Sequence, residues 1–308
     1  MKTLITGASL VGCCVARLLR ERGHEPVLFE LVPRPDYILR YAGEVAVEQG
    51  DIQDLAALVE VMQRHAIETV VHTVRARFTE RIYTGMRANI DGAMAVMQAA
   101  HLVGSRRFLF VSTQAVYDFA KATGPIPEDH PFTETDHPYA GSKVACERVL
   151  RVFARTYDME FAILRLAQVY GHAAEGAGDR LGVVLQTAVA DALTGRPVEI
   201  DPGLFDTNDL VYVKDVGNGI LFACERPLKR SIYNFGSGRV TGPAEVAEAI
   251  RNVAPGVPVT VAAEPAGGFR WGHTNPLDIT HAREDFGYEP QYDINKGVTD
   301  TVSELKHG

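Results

Sequence analysis

What most constrains this chain is the repeated exchange of a short apolar run for a longer stretch of helical period. Residues 2–6, 26–30 (PVLFE), 44–48, 68–72 (ETVVH), 108–112 (FLFVS) and 161–166 (FAILRL) read as strands. Residues 13–22, closed by Gly23, and residues 55–65, 85–103 and 138–157 read as helices between them. Strands that alternate with helices, joined by right-handed crossovers, make an α/β fold built on a doubly wound parallel sheet. After about Tyr170 the texture changes. Residues 171–178 are a small, flexible stretch, and Gly, Pro and short mixed segments become commoner. The expected division is a dinucleotide-binding domain over 1–170 and a smaller region over 171–308. The second is mainly substrate-binding and partly interleaved with the first. No repeat interrupts this scheme.

Composition narrows the partners. The 308 residues carry a formal net charge of −8, which repels a phosphate backbone and argues against nucleic acid. No apolar run approaches the roughly 18 residues needed to span a bilayer. The N-terminus leads straight into a strand with no signal-peptide pattern, so a cytoplasmic protein is expected. Cys13, Cys14, Cys146 and Cys224 have no metal-ligand spacing. His130 and His137 lie in an acidic, Pro-rich loop, and no metal set is visible.

Two local signals carry chemistry. The first strand runs into Thr6-Gly7-Ala8-Ser9-Leu10-Val11-Gly12, a glycine turn of the kind that lets a backbone approach a pyrophosphate at a helix N-terminus. Glu30 closes the second strand, where an acidic side chain accepts hydrogen bonds from an adenosine ribose and repels a 2′-phosphate. Pro33 and Pro35 suggest that Arg34 sits in a solvent-facing loop. A plain turn with a surface Glu is the competing reading. The second signal is Tyr139-Ala140-Gly141-Ser142-Lys143. Positions i and i+4 share a helix face, so a phenol and an ammonium lie close. A nearby cation draws a tyrosine pKa down from about 10 and makes the phenol a general base toward a hydroxyl. The same spacing recurs at Tyr292 and Lys296, which only open the last helix. Tyr139 alone follows a buried strand ending in Ser112-Thr113, and doubly wound sheets bind ligands at strand C-terminal ends. Thr113 is placed to offer its hydroxyl to a substrate oxygen.

With these residues in view, the chain resembles the extended short-chain dehydrogenases, NAD-dependent epimerases and dehydratases with a Rossmann domain. The resemblance extends over Gly50-Asp51-Ile52, Val70-Val71-His72, Asn89-Ile90-Asp91-Gly92, Val116-Tyr117 and Leu164-Arg165-Leu166. It continues through Val169-Tyr170-Gly171, Asp209–Val216 and Tyr233–Gly238. It implies NAD as cofactor, with Asp51 and Ile52 along the adenine and Lys143 also on the nicotinamide ribose. Gly7, Ser9, Leu10, Val11, Gly12, Glu30, Thr73, Asn89, Tyr139 and Leu166 are the further cofactor contacts it implies. Thr113, Tyr139 and Lys143 are the implied catalytic set. Two copies are expected to join through the helices at 85–103 and 138–157.

The departures fall on the glycine turn and the substrate side. The turn is one residue short and lacks the middle glycine of the family pattern. Nucleotide-sugar epimerases place an Asn after the sixth strand, where this chain has Ala167-Gln168, and a diphosphate-binding arginine where it has Asn208. Arg270, in a loosely matching segment, is the candidate replacement. Arg75 and Arg77 stand where the family favours small residues; they either face an anionic substrate group or are exposed loop cations. Gln114-Ala115 replace the Asp-Glu pair that dehydratases use to eliminate water. The substrate candidates are therefore Arg75, Arg77, Thr113, Gln168, Asn208 and Arg270. The expected activity is oxidation of a secondary hydroxyl on a sugar or nucleotide sugar by hydride transfer to NAD, with or without epimerisation. Two alternatives remain: an NAD(P)-dependent dehydrogenase or reductase on a smaller non-nucleotide molecule, and a cofactor-sensing regulator that has lost catalysis.

Overall fold

In a computed structural model, the structure describes residues 1–76, 78, 81–134, 137–171, 180–203, 207–265 and 273–306. In chain order the elements are β1 (Lys2–Thr6), α1 (Leu10–Glu21), β2 (Glu25–Glu30), α2 (Pro35–Ala42), β3 (Ala46–Gln49), α3 (Leu55–Arg64) and β4 (Thr69–His72). There follow α4 (Ile82–Leu102), β5 (Arg107–Thr113), α5 (Pro138–Tyr157), β6 (Glu160–Leu166), β7 (Gln168–Tyr170), α6 (Arg180–Leu193) and β8 (Val198–Ile200). The chain ends with β9 (Leu210–Tyr212), α7 (Val213–Glu225), β10 (Ile232–Phe235), α8 (Pro243–Val253), β11 (Val259–Val261), α9 (Thr280–Phe286) and α10 (Ile294–Lys306).

Seven strands form one parallel sheet in the order β10-β6-β5-β4-β1-β2-β3. The apolar runs are continuous because both faces are covered, and successive side chains serve opposite layers. Leu4, Val70, Phe108, Phe110 and Ile163 belong to the core under α3, α4 and α5. Ile5, Val71, Leu109, Val111 and Leu164 face the core that includes α1 and α7. The strand order reverses direction at β1 and β4, so the crevice of a doubly wound sheet opens outside their C-terminal ends. The remaining strands form two parallel pairs, β7 with β9 and β8 with β11. A third core gathers α6, α8 and α10, and Leu10 at the start of α1 packs into it.

The structure corrects several local expectations. The first helix begins at Leu10 rather than at residue 13, because Ser9 caps it by accepting from the Gly12 amide. Residues 35–42, for which the sequence pattern predicts no element, form α2, and Arg34, expected in a solvent-facing loop, is its N-cap. Pro35 occupies the first turn, where a missing N–H costs nothing. The sheet also gains a seventh strand, β10, from the C-terminal part of the chain. The Tyr292–Lys296 pair does not share a helix face. Tyr292 precedes α10 and packs its ring on Tyr212, while Lys296 donates to the Gln291 carbonyl.

Candidate active site

The crevice is built from the ends of β1, β2, β4 and β5 and the start of α5. At β1, Gly7 turns with φ +96, a conformation that favours glycine. A Cβ on Gly12 would run into the Gly7 carbonyl, so the short loop is folded tightly against itself. Thr73 closes the floor of the turn. Its hydroxyl donates to the carbonyls of Thr6 (2.8 Å) and Gly7 (3.2 Å). The first turn of α1 contains no acidic residue, which leaves its N-terminal amides and their positive dipole end compatible with an anion.

Glu30 reaches back to this turn. One carboxylate oxygen accepts from the Ala8 amide (2.8 Å), and the other accepts from Leu31 (2.9 Å) and Val32 (3.4 Å). Arg34 places its guanidinium over the Tyr37 ring, 4.5 Å from the centroid. Asp51 is exposed and caps its own turn through Gln53. Ile52 is buried against Gly92 of α4, where a Cβ would not fit. The buried Asn89 side chain is used at both ends: its oxygen accepts from the Ala76 amide and its nitrogen donates to Ser142 Oγ. It therefore ties the segment after β4 to α5 and shapes the crevice from beneath.

Lys143 is buried on α5, and its ammonium donates to the carbonyls of Val111 (2.9 Å) and Val74 (3.2 Å). It lies 4.6 Å from the Phe110 ring centroid. Burial draws its pKa down to about 8, with the nearby Arg75 charge acting in the same direction. Tyr139 is half-buried one turn earlier, and the exposed Arg75 guanidinium lies 5.9 Å from its ring centroid. Thr113 ends β5 with its hydroxyl oxygen accepting from Ala115, and pairs in register with the buried Leu166. The structure thus brings the ends of β4 and β5 and the first turns of α5 together. Gln168 and Asn208 lie on the C-terminal side, where the Gln168 amide donates to the Asp209 carbonyl. Arg77 and Arg270 lie outside the described residues, as does 172–178.

Contacts that sequence reasoning did not foresee hold this arrangement in place. Glu147, two turns after Tyr139 on α5, accepts from Ser112 Oγ (2.6 Å) and pairs with Arg165 of β6 (2.6 Å), all three being buried. Arg165 also donates to the Glu128 carbonyl and stacks on Tyr117, 4.7 Å from the ring centroid. Gln114, immediately after Thr113, donates through Nε2 to Asn208 Oδ1 at 2.9 Å. The i, i+4 and i+8 spacing of Tyr139, Lys143 and Glu147 was the available signal for the first group. Nothing local points to the second.

Comparisons with known proteins bear on the family and the fold. A family described as NAD dependent epimerase/dehydratase matches residues 3–236. The chain is 28% identical to a UDP-glucose 4-epimerase of Mycolicibacterium smegmatis over 98% of its length and 97% of the relative's. It is 25% identical to a dTDP-glucose 4,6-dehydratase of Xanthomonas campestris, covering 82% of this chain and 77% of that one. Among solved structures it superposes on the UDP-glucose 4-epimerase of Thermotoga maritima with UDP-glucose, with a TM-score of 0.83 and 25% identity. That match covers 100% of this chain and 99% of the other.

Proposed function

Because this chain belongs to the NAD dependent epimerase/dehydratase family, we propose that it oxidises a secondary hydroxyl of a nucleotide sugar and returns the hydride to the opposite face as an epimerase. The observation that carries the reading is Lys143, one turn after Tyr139 on α5, whose ammonium donates to the Val111 carbonyl of β5, the strand that ends at Thr113. NAD, when bound, supplies the acceptor of the hydride. The residues present suit it: a turn that only glycine backbone can make, a helix start with no acidic side chain, and Glu30 closing β2. Gly7, Ser9, Leu10, Val11 and Gly12 would hold its pyrophosphate, Glu30 its adenosine ribose, and Asp51 and Ile52 its adenine. Thr73, Asn89 and Leu166 would line the remainder.

In this mechanism Tyr139 takes the hydroxyl proton and later gives it back, so the oxygen never leaves hydrogen-bond reach. Thr113 holds that oxygen in place. Lys143 offers its remaining N–H to the cofactor ribose and its charge to the phenolate. Arg75 adds a second positive charge over the Tyr139 ring and, with Arg77 and Arg270, is suited to an anionic group on the substrate. Gln168 and Asn208 contact the sugar side, and residues 171–308 serve mainly the substrate. Two copies join through α4 and α5.

The test is incubation of the purified protein with NAD and UDP-glucose, followed by proton NMR of the sugar and NADH absorbance together. Conversion to the C4 epimer with no net NADH is the expected result. Stoichiometric NADH would instead make it a dehydrogenase. No reaction with any nucleotide sugar would overturn the reading. A second reading, a dehydrogenase on a smaller non-nucleotide alcohol, is favoured by one observation: Asn208 stands where a diphosphate-binding arginine is expected and is already paired with Gln114.

A further inference from the structure

Arg75 stands between two residues that are both fastened to the turn of α5 carrying Tyr139. On one side, the Val74 carbonyl accepts from Lys143 Nζ at 3.2 Å. On the other, the Ala76 amide donates to Asn89 Oδ1 at 2.8 Å, and Asn89 Nδ2 donates to Ser142 Oγ at 2.9 Å. Ser142 Oγ in turn donates to the Tyr139 carbonyl at 2.8 Å. With both flanks held, the exposed Arg75 side chain lies over the half-buried Tyr139 ring, its guanidinium carbon 5.9 Å from the ring centroid. This is a position where the chain departs from the small residues of the family. A cation over an aromatic face within about 6 Å is attracted to the ring, and the attraction grows when the ring carries the negative charge of a phenolate.

We propose that Arg75 is a positioning residue for the general base, its guanidinium packing on the Tyr139 ring and keeping a fixed positive charge beside the phenolate. This rests on the reading of Tyr139 as the base. Lys143 serves that purpose only in part. Its ammonium gives two of its three N–H groups to carbonyls, and burial draws its pKa down to about 8, with Arg75 acting in the same direction. An arginine, by contrast, stays protonated throughout the working range of pH. The other ionisable groups around Lys143 supply no second cation. Burial holds His72 of β4 neutral, with its pKa down to about 3, and pushes the Cys146 thiol up to about 11. Glu147 is an anion already paired with Arg165. His137, the N-cap of α5, is the titratable residue nearest to Tyr139 in the sequence.

The experiment compares wild type, Arg75→Gln and Arg75→Lys through two readouts. The first is the ligand-free phenol titration, followed by tyrosinate absorbance with the Tyr139→Phe trace subtracted, so that Tyr139 alone is counted and His137 does not register. The second is the pH profile of kcat/KM on UDP-glucose with NAD. A unit charge on the order of 6 Å from the ring, screened by solvent, should favour the phenolate by about half to one pH unit. Arg75→Gln should therefore move the phenol titration and the acidic limb of the profile to higher pH by that amount. Arg75→Lys keeps the charge and should leave both close to wild type. The Lys143 titration should also rise in Arg75→Gln, carrying upward the pH at which NAD affinity weakens. An Arg75→Gln protein whose phenol titration coincides with that of wild type would overturn the proposal, and a raised KM beside it would assign Arg75 to the substrate instead. If wild type turned over no nucleotide sugar, the functional reading would fail, while the absorbance titration, which needs no substrate, would still decide the role of Arg75.

Discussion

Tyr139 and Lys143 are one helical turn apart, but their surroundings differ. Lys143 is buried with two carbonyls on its ammonium, whereas Tyr139 is half-buried under the Arg75 guanidinium. Tyr139→Phe removes one hydroxyl and keeps the ring, so kcat should fall about 10²–10⁴-fold, the usual contribution of a general base, with NAD affinity nearly intact. Lys143→Ala should weaken NAD binding as well, and Tyr292→Phe should do neither. Calorimetric titration with NAD beside one activity assay separates the three; a Tyr139→Phe enzyme with most of its activity would remove Tyr139 from the mechanism. The burial of Lys143 also sets a pH dependence. With its pKa drawn down to about 8, the ammonium is charged below that pH and neutral above it. Any step that needs the charge is therefore lost as pH rises through about 8. The alkaline limb of kcat/KM should fall there, and NAD affinity measured against pH should weaken over the same range. An affinity flat through that range would separate Lys143 from the cofactor.

At the scale of elements, the crevice depends on two devices that join distant strands and helices. Thr73, at the end of β4, holds the carbonyls of Thr6 and Gly7. Thr73→Val keeps the shape and removes the one hydroxyl proton that the two carbonyls share, at a cost of about 0.5–1.5 kcal/mol. Urea unfolding measures that loss, and NAD titration should show the loosened turn binding more weakly. Unchanged affinity would mean that the short turn holds its shape without Thr73. The Glu147–Arg165 pair fastens α5 to β6 and, through Ser112, to β5. Glu147→Leu leaves a buried guanidinium uncompensated, so unfolding free energy should drop by about 3–5 kcal/mol. A variant as stable as wild type would show that Arg165 finds another anion or water. The i, i+4, i+8 row on α5 was legible because it is local. The partners Ser112 and Arg165 were not, since a strand gives no sign of which helix will cover it.

For the whole molecule, the exposed apolar residues of α4 and α5 bear on assembly. Ile82 and Tyr83 open α4, Leu102 ends it, and Val152 lies on α5, all more than half exposed. Helices α4 and α5 pack side by side, so these residues share one side of the fold's outer layer. A dimer through this layer should give twice the chain mass in light scattering, and Val152→Glu should shift it toward the monomer without lowering the melting temperature of the fold. A monomeric wild type would discard this interface. Among the described residues no helix is long and apolar enough to cross a membrane.

The first six strands of the sheet and the helices α1, α3, α4 and α5, the parallel sheet, the glycine turn with Glu30, and the Tyr139–Lys143 spacing were determined by the sequence itself. Each rests on periodicity or spacing within a few residues, which a linear chain displays directly. Helix α2 was masked by two prolines whose positions read equally well as a loop. Strand β10 needed the tertiary fold, because its four residues state no neighbour until β6 presents an open edge. The same holds for Thr73 under the glycine turn and for Gln114 against Asn208, which are 94 positions apart in the chain. Such pairs depend on sheet register and loop closure, so only the folded chain decides which buried polar atoms meet.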